Sequence, residues 1–326
     1  MIPSFVNNLF EINAANFSTA AHAVFRFQYE FNPVYQAFCK SLQIDTEKVP
    51  AEVPIPFLPI SFFKTHKVVA TEFEPEIIFE SSGTSQTIQS KHYVKSIGLY
   101  EDAFFDGFEL QYGNPEDWCF LGLLPSYLER KHSSLVYMVK RLMDESQHPN
   151  NDFFLNEFEQ LFKTLTLLET NGQQTMLIGV SFALLDFAEK HALQCYNTTI
   201  VETGGMKGRR EELIREDVHQ QLKKSFAVNA IHSEYGMTEL LSQAYSAGEG
   251  IFRCPPWMKV LVRDEDDPLH ISTTGKGAIN IIDLANIYSC SFIATDDVGE
   301  VYADGSFRII GRMDNSDIRG CSLLAL

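Results

Sequence analysis

A small, hydroxyl-rich turn, SSGTS, is the first stretch of the sequence with the chemistry to bind an anion. Backbone N–H groups and hydroxyls in a glycine-containing turn after a strand can surround a phosphate. The pattern GxxxxGK[ST] is absent, so the turn is not a Walker P-loop. Alone, such a turn is more typical of an ordinary loop than of a binding site. Its residues are Ser81, Ser82, Gly83, Thr84 and Ser85.

A second turn, ETGGMKGRR, combines glycines with basic side chains. Gly204 and Gly205 would let the backbone approach a flat ligand closely, because they carry no Cβ. Lys207 and Arg209 make a local positive patch in a chain whose net charge is −17. Taken alone, this pattern is more typical of a turn that leads into a helix with solvated basic residues.

Three further elements, SEYGMTE, TDDVG and GRMD, add aromatic, carboxylate and guanidinium groups. In the first element, Tyr235 could stack on a base, Thr238 could meet a phosphate and Glu239 could hold Mg²⁺ through oxygen. In the second element, the Asp297 carboxylate could accept hydrogen bonds from two ribose hydroxyls. The third element contributes Arg312.

Alternating helix and strand patterns surround these elements. The aromatic and aliphatic residues of 15–43 recur at helical spacing, and the apolar run 118–125 ends at a proline, which is typical of a buried strand. The segment 210–226 predicts a helix with acidic residues early and lysines late, which suits the helix macrodipole. We therefore expect an α/β region to about residue 245, a β-rich region over 246–310 and a tail over 311–326.

The composition excludes several classes of protein. The 326 residues are 45% hydrophobic and 21% charged, which is typical of a globular protein, and the acidic net charge argues against a nucleic-acid surface. The six cysteines show no CxxC spacing, which favours reduced thiols over disulfides or a zinc site. We see neither a signal peptide nor an apolar run that could span a membrane, so we expect a cytoplasmic protein.

The five elements occur in the order found in the adenylate-forming (ANL) superfamily, and the chain resembles that superfamily over residues 79–320. This superfamily includes acyl-CoA synthetases, peptide-synthetase adenylation domains and luciferases. The specific part of the match is YGMTE followed by TDDVG and GRMDN. The resemblance implies one adenylate-forming N-terminal-type domain over 1–310, with α/β subdomains and a β-rich subdomain, and with a hinge-like tail instead of the usual small C-terminal domain.

The resemblance also implies an activity that uses ATP and Mg²⁺. A carboxylic acid, expected to be a fatty acid, would be activated as an acyl-adenylate, and a second nucleophile would then take the acyl group. By resemblance, Ser81 to Ser85 would hold the phosphates, and Gly204 and Gly205 would border the adenine. In the YGMTE element, Tyr235 would stack on the adenine beside Gly236, Thr238 would touch the α-phosphate and Glu239 would bind Mg²⁺. Asp297 would bind the ribose hydroxyls, and Arg312 would approach ribose or phosphate.

Several positions depart from the family pattern. The phosphate loop continues with QTIQ instead of Gly-x-Pro-Lys, so that the nearest lysine, Lys91, is two places late, and Asp296 replaces the glycine of TGD. Family members continue past GRxDD into a small domain that carries a catalytic lysine, whereas the residues after GRMD here include none. Lys207, Arg209 and Arg319 are the candidates for a replacement cation.

One branch of the superfamily, the LuxE-type acyl-protein synthetases, lacks that small domain and transfers the acyl group to a cysteine near its own C-terminus. The stretches ESSGTS and IRGCSL resemble this branch and imply that Cys321 is the acyl acceptor. A thiolate is a good nucleophile towards a mixed anhydride, and Arg319 could favour the thiolate. The alternative is a small apolar side chain beside Leu323. His232 is a candidate for the carboxylate site.

Two other functions stay open from the sequence. In the first, the acyl group passes to CoA or another small acceptor, and Cys321 is incidental. In the second, the protein binds an acyl or nucleotide ligand without catalysis, or it scaffolds a partner. The expected partners are ATP, a carboxylic acid and a protein or CoA acyl acceptor, with no nucleic acid and no membrane span.

Overall fold

The computed structural model describes residues 4–44, 55–81, 88–125, 132–204, 213–264 and 267–313. The chain divides into two compact units. Unit 1 contains Met1–Phe73 and Pro256–Leu326, and unit 2 contains Glu74–Pro255. The N-terminal segment therefore packs with the β-rich segment, which is a long-range association that local sequence patterns do not contain.

The helices of the described residues agree closely with the sequence periodicity. None of them combines the length and apolar character needed to cross a membrane. Short 3₁₀ helices occupy Ser4–Glu11, Pro115–Asp117 and Leu284–Asn286. The α-helices are α1 (Phe17–Phe31), α2 (Pro33–Ser41), α3 (Phe62–Thr65), α4 (Ile97–Tyr112), α5 (Ser134–Ser146), α6 (Phe158–Thr170), α7 (Ser181–Lys190) and α8 (Arg215–Phe226).

The strands of the described residues form two six-stranded sheets and one hairpin. They are β1 (Leu58–Pro59), β2 (Ile77–Glu80), β3 (Lys91–Val94), β4 (Cys119–Leu123), β5 (Asp152–Phe154), β6 (Thr175–Gly179), β7 (Thr198–Thr203), β8 (His232–Tyr235), β9 (Ala244–Ser246), β10 (Met258–Arg263), β11 (Ile271–Ser272), β12 (Gly275–Asp283), β13 (Phe292–Val301) and β14 (Phe307–Arg312).

Unit 2 is built on a sheet with the strand order β5–β4–β6–β7–β8–β9. The first five strands run parallel, and β9 pairs antiparallel with β8. Every residue of β4 and β6 is buried, as expected for parallel strands that helices cover on both faces. Parallel pairing places the carboxyl ends of these strands at one edge, where α/β sheets bind ligands.

Short polar caps determine where several helices begin. Ser133 Oγ accepts a hydrogen bond from Val136 N at 3.3 Å before α5. Asn32 separates α1 from α2, because its side chain accepts from Val34 N and Tyr35 N while Pro33 occupies the first helical position. The single helical periodicity of 15–43 therefore becomes two helices.

Unit 1 is built on a mostly antiparallel sheet with the order β1–β13–β12–β10–β11, and β14 pairs with the other part of β13. Along β13, buried residues mostly alternate with half-buried ones, which is the period-two pattern of a strand with one covered face. The register between β13 and β14 shifts at Val298 and Gly299. A Cβ at Gly299 would collide with the carbonyl oxygen of Arg308, so only glycine fits this bulge.

The buried amide of Gln28 ties α1 to the segment that precedes β13. Its Nε2 donates to the carbonyl oxygens of Asn286 at 3.1 Å and Ile287 at 2.9 Å, and its Oε1 accepts from Ser291 N at 2.9 Å. Backbone groups that lie away from water need such partners, because a buried group without one costs about 1–3 kcal/mol. This one side chain therefore satisfies several backbone groups of an irregular segment.

We expect Gln28→Leu to lower the free energy of unfolding by about 3 kcal/mol, since the variant leaves buried donors and acceptors without partners. Urea unfolding followed by circular dichroism measures the change. The matched control is Gln220→Leu, which alters an exposed glutamine of α8 and should leave the transition within about 0.5 kcal/mol. Equal stabilities of the two variants would show that the Gln28 amide does not hold this segment.

Candidate functional site

Two predicted elements lie side by side at the carboxyl edge of the unit 2 sheet. Gly204 directly follows β7, and the turn Gly236–Glu239 directly follows β8. The two strands are paired in parallel with Thr203 opposite Glu234, so both turns leave the sheet at the same level. This edge is where an α/β sheet presents backbone and side chains to a ligand.

The SSGTS turn leaves the end of β2 at Ser81, which is the part of this turn that the structure describes. Ser81 N donates to Ser90 O at 3.0 Å, and Ser90 N donates to Ser81 Oγ at 2.9 Å. These bonds extend the β2–β3 hairpin by one pair at the end that carries the turn. The predicted site residues Ser82, Gly83, Thr84, Ser85, Gly205, Lys207, Arg209, Arg319 and Cys321 lie outside the described residues.

A buried histidine joins this hairpin to the YGMTE turn. His92 lies on β3 with 1% of its surface exposed, and its Nδ1 is 2.8 Å from the carbonyl oxygen of Thr238. The ring nitrogen is the donor in this contact, because a carbonyl oxygen can only accept. Two elements that are predicted to meet phosphate are thus connected by one side chain. A single histidine without a motif carries no sequence signal for this role.

Lys91, the late lysine, lies across the hairpin from Glu80, with Nζ 3.2 Å from Oε1. Half of the lysine side chain is exposed. An exposed pair of this kind contributes about 0–1 kcal/mol, so the ammonium group can exchange partners at little cost.

The two side chains of the YGMTE turn that are predicted to bind Mg²⁺ and to stack on the nucleobase are both buried. Glu239 is 6% exposed and Tyr235 is 9% exposed. The Tyr235 ring lies 5.8 Å from Phe252, over which the Arg215 guanidinium lies at 5.2 Å. Among the described residues, no group of three or more His, Cys, Asp or Glu could hold a metal. Mg²⁺ is often bound through one or two carboxylates with other ligands from phosphate and water, and the metal role of Glu239 stays a prediction.

Glu202, directly before the glycine turn, belongs to a buried charged cluster on one face of the sheet. Ser181 Oγ donates to its Oε1 at 2.6 Å, and its Oε2 is 3.7 Å from His219 Nε2 and 3.9 Å from Arg215 Nε. Burial alone would raise the pKa of Glu202, but the neighbouring His219 ring and the charge of Arg215 lower it overall. The carboxylate thus holds α7 and α8 against the end of β7.

Glu234 extends from the opposite face, towards α4. Its Oε2 accepts a hydrogen bond from Thr203 Oγ1 at 2.7 Å, and its Oε1 lies so close to Gly236 that a Cβ there would collide with it. Although part of the residue remains exposed, its carboxyl group lies against the buried side chains of Thr203 and Tyr245. Burial raises the pKa of Glu234 to about 7, Thr203 opposes this rise and the charge of Glu202 adds to it.

His232 lies on the same face of β8, two residues before Glu234. Its Nδ1 is 3.2 Å from the hydroxyl of Tyr112 on α4, and burial lowers the pKa of its imidazole. The structure therefore places this candidate beside Glu234 as a neutral, hydrogen-bonded side chain. The sequence singled out His232 and passed over Glu234, because only the alternation of the strand reveals that the two share a face.

In unit 1, Asp297 and Arg312 face each other across β13 and β14. Arg312 Nε donates to Asp297 Oδ1 at 3.1 Å, and Asp297 N donates to Thr295 Oγ1 at 3.2 Å. The arginine side chain is 76% exposed, while that of Asp297 is 10% exposed. The two motifs that are predicted to meet ribose thus form one carboxylate–guanidinium pair at a strand pairing.

Comparisons with known proteins find a relative in sequence and several solved structures with a similar fold. No protein-family model matches the chain. A long-chain-fatty-acid–luciferin-component ligase of Vibrio harveyi is 23% identical over 332 residues, covering 94% of this chain and 86% of the relative. ATP-bound MatB from Rhodopseudomonas palustris superposes with a TM-score of 0.57 at 16% identity over 74% of this chain and 50% of MatB. The amide bond synthetase McbA from Marinactinospora thermotolerans superposes with a TM-score of 0.51 at 17% identity over 82% and 53% of the two chains.

This chain has the adenylate-forming fold. It is similar to the large N-terminal domain of these enzymes, and it spans about half the length of the solved structures that it matches. The fold class and the resemblance predicted from the motif order are therefore confirmed. The roles of individual site residues in the adenylate-forming fold stay predictions.

We expect Glu234→Gln to remove a pH dependence of stability. The carboxyl has an ordinary pKa of 4.5 and a folded pKa of about 7, so between these values only the folded state keeps the proton. Unfolding then releases a proton, and the stability that this group contributes is complete below 4.5 and declines up to about 7. From about pH 5 to about pH 8, the wild type should lose about 2 kcal/mol relative to the variant.

Urea unfolding of both proteins at the two pH values measures this difference. Glu159→Gln is the control, because this carboxylate is 80% exposed and its replacement should leave the pH dependence unchanged. A difference between wild type and Glu234→Gln that is the same at both pH values would show that Glu234 titrates normally.

Proposed function

We propose that the protein activates a carboxylic acid with ATP as an acyl-adenylate and passes the acyl group to a cysteine of its own chain. The observation that carries the first step is the placement of the Gly204 turn beside the Gly236–Glu239 turn, at the carboxyl edge of a parallel sheet in an adenylate-forming fold. MatB, which shares this fold, is ATP-bound in its crystal structure.

In the first step, a carboxylate oxygen of the acid attacks the α-phosphorus of ATP. The bond from that phosphorus to the oxygen that bridges to the β-phosphate breaks, and pyrophosphate leaves. Such a transfer depends on positioning and on neutralising the charge of the transferred group. Gly204 and the Tyr235 ring would border the base, and Thr238 would contact the α-phosphate. Mg²⁺, when bound through Glu239, would neutralise phosphate charge.

His92 would act indirectly in this step. Its hydrogen bond to the Thr238 carbonyl fixes the peptide between Thr238 and Glu239 relative to the hairpin that carries the SSGTS turn. For Asp297 and Arg312, we keep the roles that the resemblance implies, which are to bind the ribose hydroxyls and to approach ribose or phosphate.

In the second step, a thiolate sulfur attacks the acyl carbon, the bond from that carbon to the phosphate oxygen breaks, and AMP leaves. Four of the five described cysteines fit this role poorly: burial raises the pKa of Cys39, Cys119 and Cys195 to about 12, and burial also raises the pKa of Cys290. A buried thiol of this kind is a poor nucleophile at neutral pH. Cys254, which is half-buried, and Cys321 are then the candidates, and the resemblance favours Cys321.

The fatty-acid part of the proposal is supported by the Vibrio harveyi relative, whose name describes the ligation of a long-chain fatty acid to a luciferin component. That relative aligns with 94% of this chain. We propose the same class of acid and a thioester intermediate, in the cytoplasm, with CoA or a further protein as the alternative destination of the acyl group.

Glu239→Gln should lower acid-dependent ATP–pyrophosphate exchange by about 100-fold, because a neutral amide binds Mg²⁺ less well than a carboxylate. Exchange of labelled pyrophosphate into ATP measures the first step alone. Glu159→Gln, on an exposed carboxylate, should keep the wild-type rate. An unchanged exchange rate in Glu239→Gln would remove this residue from the site.

Incubation with ATP, Mg²⁺ and a radiolabelled fatty acid should leave label on the protein that hydroxylamine releases, as expected for a thioester. Cys321→Ala should abolish the label and retain pyrophosphate exchange, whereas Cys254→Ala, on a half-buried thiol, should keep both. Label that persists in Cys321→Ala would refute the acceptor. Release of the label that requires CoA would favour the small-acceptor alternative. No pyrophosphate exchange with any acid would favour a non-catalytic protein.

A further inference from the structure

Four side chains form a polar row on the α4-facing side of the unit 2 sheet, at its carboxyl edge. Thr203 on β7 lies opposite Glu234 on β8, which lies opposite Tyr245 on β9, so the three side chains are neighbours across the sheet. Gln243 precedes Tyr245 by two residues and lies beside Gly236, with its Cγ 3.3 Å from where a Cβ would stand. We call Thr203, Glu234, Gln243 and Tyr245 the polar row.

Two atoms of this row have no hydrogen-bond partner among the residues that the structure describes. They are the Tyr245 hydroxyl and the Gln243 Oε1, both buried on side chains that are 6% exposed. Buried polar atoms are nearly always paired, and one that is left unpaired costs about 1–3 kcal/mol. Two such atoms next to one carboxyl group therefore indicate hydrogen-bonding capacity that the protein does not use itself.

Aromatic rings of α4 and β9 border the row. The rings of Tyr112 and Tyr245 meet edge to face at 5.3 Å. Burial raises the pKa of both hydroxyls, and the charge of Glu234 adds to this rise. The Tyr100 hydroxyl already donates to Ser134 O at 3.1 Å, and that of Tyr112 pairs with His232. The hydroxyls of the two neighbouring tyrosines of α4 are therefore already paired, whereas the two atoms of the row are not.

The unused atoms are mostly acceptors. Gln243 Oε1 accepts only, a Glu234 carboxylate accepts, and the Tyr245 hydroxyl can accept or donate. The complementary group on a ligand is therefore a hydrogen-bond donor, either a hydroxyl or an amine. The folded pKa of Glu234, about 7, lets the carboxyl stay neutral until such a group, and above all a cationic amine, favours its ionised form.

We infer that the polar row is a specificity site that selects a carboxylic acid with a hydroxyl or amine on its chain over the unsubstituted acid. The inference rests on the proposed function, because the row flanks the Gly236–Glu239 turn at which the acid would be activated, with Glu234 before the turn and Gln243 and Tyr245 after it. A purely hydrocarbon chain would leave the Tyr245 hydroxyl and the Gln243 oxygen unpaired, whereas a substituted chain gives them partners. Sites with buried polar groups discriminate strongly in this way.

Binding is measured by calorimetry with a methylene-bridged ATP analogue, and turnover is measured by pyrophosphate exchange. The probes are hexanoic and decanoic acids, each unsubstituted or with a hydroxyl or an amine at successive carbons. The wild type should bind at least one substituted acid about tenfold or more tightly than its parent acid. Tyr245→Phe should reduce this ratio to near one and leave the affinity for the parent acid unchanged.

Glu234→Gln distinguishes a hydroxyl substituent from an amine substituent, since loss of the charge should weaken the binding of the amine-bearing acid more than that of the hydroxylated acid. Tyr196→Phe, on a ring that is 78% exposed, is the matched control and should keep the wild-type ratio. A wild type that prefers the parent acids, or a ratio that Tyr245→Phe does not change, would overturn the inference. Discrimination in binding without any pyrophosphate exchange would support the polar row and refute the proposed function.

Discussion

The parallel pairing of β7 with β8 is the constraint on which the rest of unit 2 depends. Because Thr203 lies opposite Glu234, the two strands end at the same level, and the turns that begin at Gly204 and Gly236 leave the sheet together. The two turns are far apart in the sequence, and only the strand pairing makes them neighbours. Helices on both faces bury the strands and keep the pairing in register, since a shift by one residue would turn every side chain to the other face.

The same pairing sorts two acidic residues into different environments. Successive residues of a strand point to opposite faces, so Glu202 turns towards His219 and Arg215, while Thr203 turns towards Glu234. One carboxyl group keeps a low pKa beside basic partners, and burial raises the pKa of the other to about 7 although the Thr203 hydroxyl donates to it. Shifted carboxyl pKa values of this kind, here on two neighbouring strands, are typical of functional sites.

Hydrogen bonds between distant segments also hold irregular stretches of chain within each unit. His92 holds the Thr238 carbonyl in unit 2, and Gln28 holds the segment before β13 in unit 1. Both contacts connect an amide or imidazole to backbone groups of irregular chain, which have no ladder of their own to satisfy them. Each is a buried contact between residues far apart in sequence, and so each depends on the fold as a whole.

The sequence by itself determined the order of the motifs, the α/β class and most elements of unit 2, because apolar periodicity and turn residues are local properties. The apolar run 118–125 that became β4 and the segment 210–226 that contains α8 needed no other information. Only the tertiary structure decided that residues before 73 pack with those after 256, that Arg312 meets Asp297, and that Glu234, Gln243 and Tyr245 form one row. These depend on strand register and on which face each side chain takes, and pairing between distant segments sets both.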